Sequence, residues 1–116
     1  MIEGIRTARK THQCFDCYRP IYAGESYKFT VCIHNGAAYT LKQHFDCRDA
    51  AVFYRKAAGL HFRDFEDGYP PLADMIDNCG EFEADMALLR GRFPHVVCRM
   101  EFTQQIAEIN YQKRRA

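Results

Sequence analysis

The chain has 116 residues, of which 47% are apolar, 14% aromatic and 27% charged, and its net charge is +1. That make-up belongs to a folding domain and excludes wholesale disorder. No run approaches the ~18 consecutive apolar residues of a membrane span, and Met1 to Arg6 lacks the apolar centre of a secretion signal, so the sequence reads as a cytoplasmic protein with no membrane attachment.

The chain opens on a short basic arm, Arg6, Arg9 and Lys10, followed by Cys14-Phe15-Asp16-Cys17-Tyr18-Arg19-Pro20, a tight cysteine turn closed by a proline. The period then changes to two. Tyr27, Phe29, Val31 and Ile33 alternate with Lys28, Thr30 and Cys32 as in a half-buried strand, and Tyr39 and Leu41 continue the pattern after His34-Asn35-Gly36, a hairpin signal. A two-residue loop would pair Ile33 with Ala38 and Val31 with Thr40, setting apolar against polar. A three-residue loop with Gly36 left-handed pairs Ile33 with Ala37, Val31 with Tyr39 and Phe29 with Leu41, and is the register expected.

From about His44 to Ala58 the composition is helical, with Ala51, Phe53 or Tyr54, and Ala58 as the apolar side and Gly59 as a left-handed cap. Gly68-Tyr69-Pro70-Pro71 is the clearest break, and Pro71 suits the first turn of a helix to about Asn78. A further helix is expected from Glu81 to Arg90, with Phe82, Met86 and Leu89 inward and Gly91 as its stop, and another from about Thr103. Residues 95–102 stay open, because Val96, Cys98, Met100 and Phe102 alternate like a strand while Phe102, Ile106 and Ile109 fit a helix. Lys113-Arg114-Arg115 reads as a solvated helix end favoured slightly by the dipole.

Six cysteines in a chain without a leader point to metal ligation or burial, since the cytosol keeps thiols reduced. Cys14 and Cys17 are separated so that the chain folds back and aims both sulfurs at one point. His44 and Cys47, three apart at a helix start, share one face. Between the pairs lie 26 residues, which the hairpin accounts for. The expected site is therefore one structural Zn2+ held tetrahedrally by Cys14, Cys17, His44 and Cys47. Cys32 reads as packing and His34 as a turn residue. His95 and Cys98 repeat the His-x-x-Cys spacing, and a second site with Cys79 and His61 has no Cys-x-x-Cys to complete it.

Turn, hairpin and helix, with ligands in the turn and the first helical turn, describe a treble clef. The expected architecture is α+β, with a treble-clef zinc finger over residues 1–60 and an acidic helical C-terminal segment over 61–116 packed on or beside it. Over about residues 12–58, including Pro20-Ile21, Gly24-Glu25 and His44-Phe45-Asp46-Cys47, the chain resembles the zinc fingers of the poly(ADP-ribose) polymerase type and more distantly one half of a LIM domain. The resemblance implies zinc on the four ligands named above, and binding of DNA ends through backbone contacts and exposed apolar side chains. The chain departs from that pattern in a shorter spacer, in Tyr18 where knuckles often carry glycine, and in the absence of any recognisable polymerase domain. Small zinc proteins of this shape also occur in bacteriophages, which the chain length resembles and which would place it in a bacterial or phage-infected cell.

Charge divides the chain. Residues 1–63 carry +5 and residues 64–116 carry −4. Arg6, Arg9, Lys10, Arg19 and Lys28 interleave with Phe15, Tyr18, Tyr22 and Tyr27, a mixture suited to phosphate contacts and base stacking on DNA or RNA. Asp64, Glu66, Asp67, Asp74, Asp77, Glu81, Glu83 and Asp85 form a run without a basic residue. Such a segment can dock on the chain's own basic half, or on a host nucleic-acid-handling protein in the manner of a phage modulator. Four protein ligands leave no open position on the metal, so the reading is non-enzymatic. A His-Asn-His nuclease would need a general-base His beside a further metal-binding His or Asn on the helix, where the sequence offers Arg48, Asp49, Tyr54 and Arg55.

Overall fold

The computed structural model describes residues 2–34, 36–61, 65, 68–79 and 82–115, with the backbone alone of 34, 77–79 and 82. Among these residues nine elements follow in order. They are β1 (Ile2–Thr7), β2 (His12–Gln13), β3 (Pro20–Ile21), β4 (Ser26–His34), β5 (Ala37–Gln43), α1 (Phe45–Ala57), α2 (Leu72–Cys79), α3 (Phe82–Arg92) and α4 (Pro94–Arg115). The result is an α+β fold with a three-stranded antiparallel sheet ordered β1-β4-β5, a two-stranded ribbon β2-β3 flanking the cysteine turn, and four helices.

The expected basic arm is in part a strand. β1 pairs with β4 from Ile2↔Val31 to Thr7↔Ser26, which places Arg6 opposite Tyr27. The hairpin also departs from the expected register. Ile33 faces Ala38, Val31 faces Thr40 and Phe29 faces Lys42, the pairing closes at His34 opposite Ala37, and Gly36 sits at φ +80°. The reason lies in β1. The Phe29 face of β4 receives its apolar partner from Ile2 on that strand rather than from β5, and Arg6 stacks its guanidinium 3.9 Å over the Phe29 ring. Gly4, opposite Phe29, makes room for the ring, since a Cβ there would lie 2.7 Å from it. Side chains alternate across a strand, and the other face, bearing Thr30 and Gln43, is the one turned to α1, where Arg48 pairs with Glu3 at 3.3 Å.

α1 buries Cys47, Ala50, Ala51 and Tyr54, one stripe at helical spacing, while Ala58 is exposed. Its end is a Schellman motif. The Gly59 N–H donates to the Lys56 carbonyl at 3.3 Å, the Leu60 N–H donates to the Arg55 carbonyl at 2.9 Å, and Gly59 sits at φ +69°.

α3 does not stop at Gly91 but runs to Arg92, and Pro94, which can open a helix but not continue one, starts α4. Residues 95–102 are helical throughout. Val96, Val97 and Met100 are buried, so the strand-like alternation there was a by-product of two adjacent buried valines. They join Leu72, Met75, Ile76, Met86 and Leu89 in a core continuous with that of the N-terminal half. Among the described residues no helix is long and apolar enough to cross a membrane.

Candidate metal centre

Cys14 and Cys17 come from the turn between β2 and β3, where the Tyr18 N–H donates to the Cys14 carbonyl at 3.1 Å and the Cys14 N–H to the Arg19 carbonyl at 2.9 Å. Such a turn needs a left-handed residue, and Tyr18 supplies it at φ +63°, the one non-glycine at positive φ among the described residues. Its phenol reaches away and donates to Asp74 Oδ2 at 2.9 Å. Burial and then that contact push its pKa up to about 12. His44 and Cys47 come from the N-cap and first turn of α1, and the His44 N–H points at Cys14 Sγ, 3.5 Å away.

The ligand atoms of the four residues all lie within 4.8 Å of one another. His44 Nδ1 is 3.5 Å from Cys17 Sγ and 3.7 Å from Cys47 Sγ. Those two separations are close to the edges of a tetrahedron with bonds of about 2.0–2.3 Å from its centre. His44 Nε2 lies 3.2 Å from the Pro20 carbonyl, which fixes the ring with Nδ1 turned inward, the arrangement expected of a metal-ligating imidazole. The three cysteines are fully buried and His44 is 9% exposed. A Cys3His group so placed could hold one metal ion.

The electrostatics agree. Three buried sulfurs crowded together cannot all ionise without a nearby cation, since burial and like charge both penalise the thiolate. Contact with Cys14 and then Cys47 holds the Cys17 thiol down at about 3, while contact with Cys14 and then Cys17 pushes Cys47 far up. Burial opposes a charge on His44, yet the Cys14 sulfur outweighs it and raises the imidazole. A divalent cation would offset the charge of all three thiolates at once.

Around the ligands lies a layer that the sequence did not reveal. Asp16, 1% exposed, accepts from the Leu72 N–H through Oδ1 at 3.1 Å and from Gln43 Nε2 through Oδ2 at 2.6 Å, while its carbonyl accepts from the Ala73 N–H at 3.1 Å. One knuckle residue therefore caps α2. Burial, then Cys14, raises its carboxyl to about 6 against the hydrogen bonds from Gln43 and Leu72. From α4, Thr103 Oγ1 donates to the Cys17 carbonyl at 2.6 Å and Arg99 Nη2 donates to Cys47 Sγ at 3.3 Å. Burial works against the Arg99 charge, but Cys47 and Asp46 hold its pKa above the ordinary value. The separations, 86 and 52 residues, exceed any local spacing rule; only Asp16, inside the Cys-x-x-Cys, could have been suspected.

The other expected residues scatter. Arg6, Arg9 and Lys10 line one groove of about 1060 Å³ with Thr7, Ala8, His12 and Tyr27. Partial burial, then Lys42 and Lys10, keeps His12 below its ordinary pKa. Lys28 is on the opposite sheet face from Arg6, Arg19 stacks 4.6 Å over Phe102, and Tyr18 is tied to Asp74, so these three do not join the groove. Of the acidic run, Asp74 binds Tyr18, Asp85 accepts from the Tyr54 hydroxyl at 2.9 Å, and Glu83 is exposed. Asp64, Glu66, Asp67 and Glu81, like the Asp77 side chain, lie outside the described residues. So do the side chains of His34 and Cys79, while His95 and Cys98 are exposed on α4. Cys14, Cys17, His44 and Cys47 form the one metal-competent group among the described residues. Compared with protein-family profiles, curated proteins and solved structures, the chain matches none.

Proposed function

We propose that the ion is zinc, that it is structural, and that the chain is a non-enzymatic module built on a treble-clef finger of the kind its ligand spacing resembles. Soft thiolate sulfur with one imidazole in a tetrahedral arrangement is the donor set that favours zinc over the harder divalent cations. All four corners are protein atoms, which leaves no place for a reactive water.

The module contacts nucleic acid through its N-terminal half. The observation that carries this reading is the groove of Arg6, Arg9, Lys10 and His12, whose lining residues include no carboxylate. Tyr27, the aromatic there, is 4% exposed and cannot stack on a base, so the contact is with backbone phosphate and indifferent to sequence. The acidic segment is read as docked on its own finger, with Asp74 and Asp85 engaged by Tyr18 and Tyr54.

Titration of a labelled duplex by anisotropy at several salt concentrations tests the contact. Three cations meeting three phosphates predict a slope of log affinity on log salt of about −3. Glutamate at positions 6, 9 and 10 together should abolish the complex. Absence of a complex at micromolar protein and low salt, or an unchanged affinity in the triple variant, would remove this reading.

A further inference from the structure

Arg99 meets the metal centre at a point that the ligand set does not require. It sits on α4, yet its guanidinium contacts both Cys47 Sγ and the Asp46 carboxylate, with Nε buried and no partner of its own. Three thiolates and a neutral imidazole around a divalent cation leave one surplus negative charge inside the protein, where an uncompensated charge is costly. Arg99 is the cation in contact with that cluster, its Nη2 lying 3.3 Å from Cys47 Sγ. Asp46 holds the guanidinium from its other side and so aims it at the sulfur.

Resting on the zinc reading above, we propose that Arg99 is a positioning residue of the metal centre. It neutralises the surplus charge, occupies a lone pair of the Cys47 sulfur, and thereby sets how firmly the ion is held and how slowly that sulfur reacts with electrophiles. Outer partners of metal ligands typically change affinity by roughly 10–100-fold when removed. A thiolate stabilised by a hydrogen-bonded cation also has a lower intrinsic nucleophilicity than a bare one.

The test uses the zinc-loaded full chain and two readouts. The first is the rate of zinc transfer to the chromogenic chelator 4-(2-pyridylazo)resorcinol, and the second is the rate of iodoacetamide alkylation of each ligand cysteine, resolved by mass spectrometry. Arg99→Gln is expected to speed zinc loss roughly 10-fold or more and to raise alkylation at Cys47 more than at Cys14 or Cys17. Arg99→Lys, which keeps the charge, should fall nearer to the parent than Arg99→Gln does. Thr103→Val removes the other tie between α4 and the site without changing its charge, and should leave alkylation at Cys47 unchanged. If Arg99→Gln behaves like the parent, or if Thr103→Val reproduces its effect on Cys47, Arg99 is no more than a fastening for the helix.

Should Arg99→Gln fail to fold, the parent protein alone decides. Cys14, Cys17 and Cys47 are equally buried, so access does not rank them. Cys47 must then alkylate more slowly than Cys17, and an equal or faster rate overturns the assignment. A parent protein purified without stoichiometric zinc would instead remove the reading on which this one rests.

Discussion

At the residue scale the four ligands are not equivalent in what they carry besides the ion. Cys14 sits where the turn begins; its carbonyl and N–H hold Tyr18 and Arg19 of the loop, and its sulfur accepts from the His44 N–H at the start of α1. Binding energy at such a site is also folding energy, because no preformed site exists in the unfolded chain. Cys14→Ser should therefore lose the ion and unfold much of the N-terminal half. Cys98→Ser, at an exposed position on α4, should keep one ion per chain and change stability by less than about 0.5 kcal/mol. Zinc content by plasma mass spectrometry beside a thermal melt checks both, and a Cys14→Ser protein still carrying one ion would take Cys14 out of the ligand set. The spacing of these four residues was legible because tetrahedral metal geometry constrains neighbours in sequence. Tyr18 was visible as an oddity where a glycine is usual, but its reason, the hydroxyl reaching Asp74, spans 56 residues and leaves no local trace.

At the element scale two glycines set opposite expectations. Gly59 closes α1 in the left-handed region, whereas Gly91 lies within α3 at an ordinary helical angle, and a Cβ at either meets nothing within 4 Å. No neighbouring group is thus in the way at either, and only the local backbone preference remains. Gly59→Ala should cost about 1 kcal/mol, because alanine is strained in the left-handed region of the folded state, and Gly91→Ala should gain about 0.5–1 kcal/mol through helix propensity and the less flexible unfolded chain. Chemical denaturation of the two variants measures it, and a loss of stability in Gly91→Ala would mean that α3 ends before that residue. The same pair shows where pattern reading succeeded and failed. Gly59 follows a complete helix and reads correctly as a stop. Gly91 looks identical from outside, and only the packing of Leu89 and Phe93 on either side keeps the helix going. The hairpin register failed for a related reason. Matching the apolar faces of β4 and β5 is sound when those two strands are alone, and β1, whose Ile2-Glu3-Gly4-Ile5 carries little strand pattern, supplied the missing partner.

At the scale of the whole molecule the halves of opposite charge share one core, and the cysteine turn adds a second set of ties between them. Asp16 caps α2, Thr103 holds the Cys17 carbonyl, and Tyr18 holds Asp74, so three of the residues between Cys14 and Tyr18 are tied to helices more than 50 residues away. Loosening the knuckle must then free the start of α2 and the middle of α4, in contrast to two lobes that fold independently. Hydrogen exchange on the protein before and after chelation reads this directly. The amides of Leu72 and Ala73, which have Asp16 as their acceptor, should lose protection together with Cys14 and Tyr18 when the metal is stripped. Protection at Leu72 and Ala73 that survives chelation while the knuckle exchanges freely would show that the helical half stands by itself and that the ion serves the N-terminal half alone.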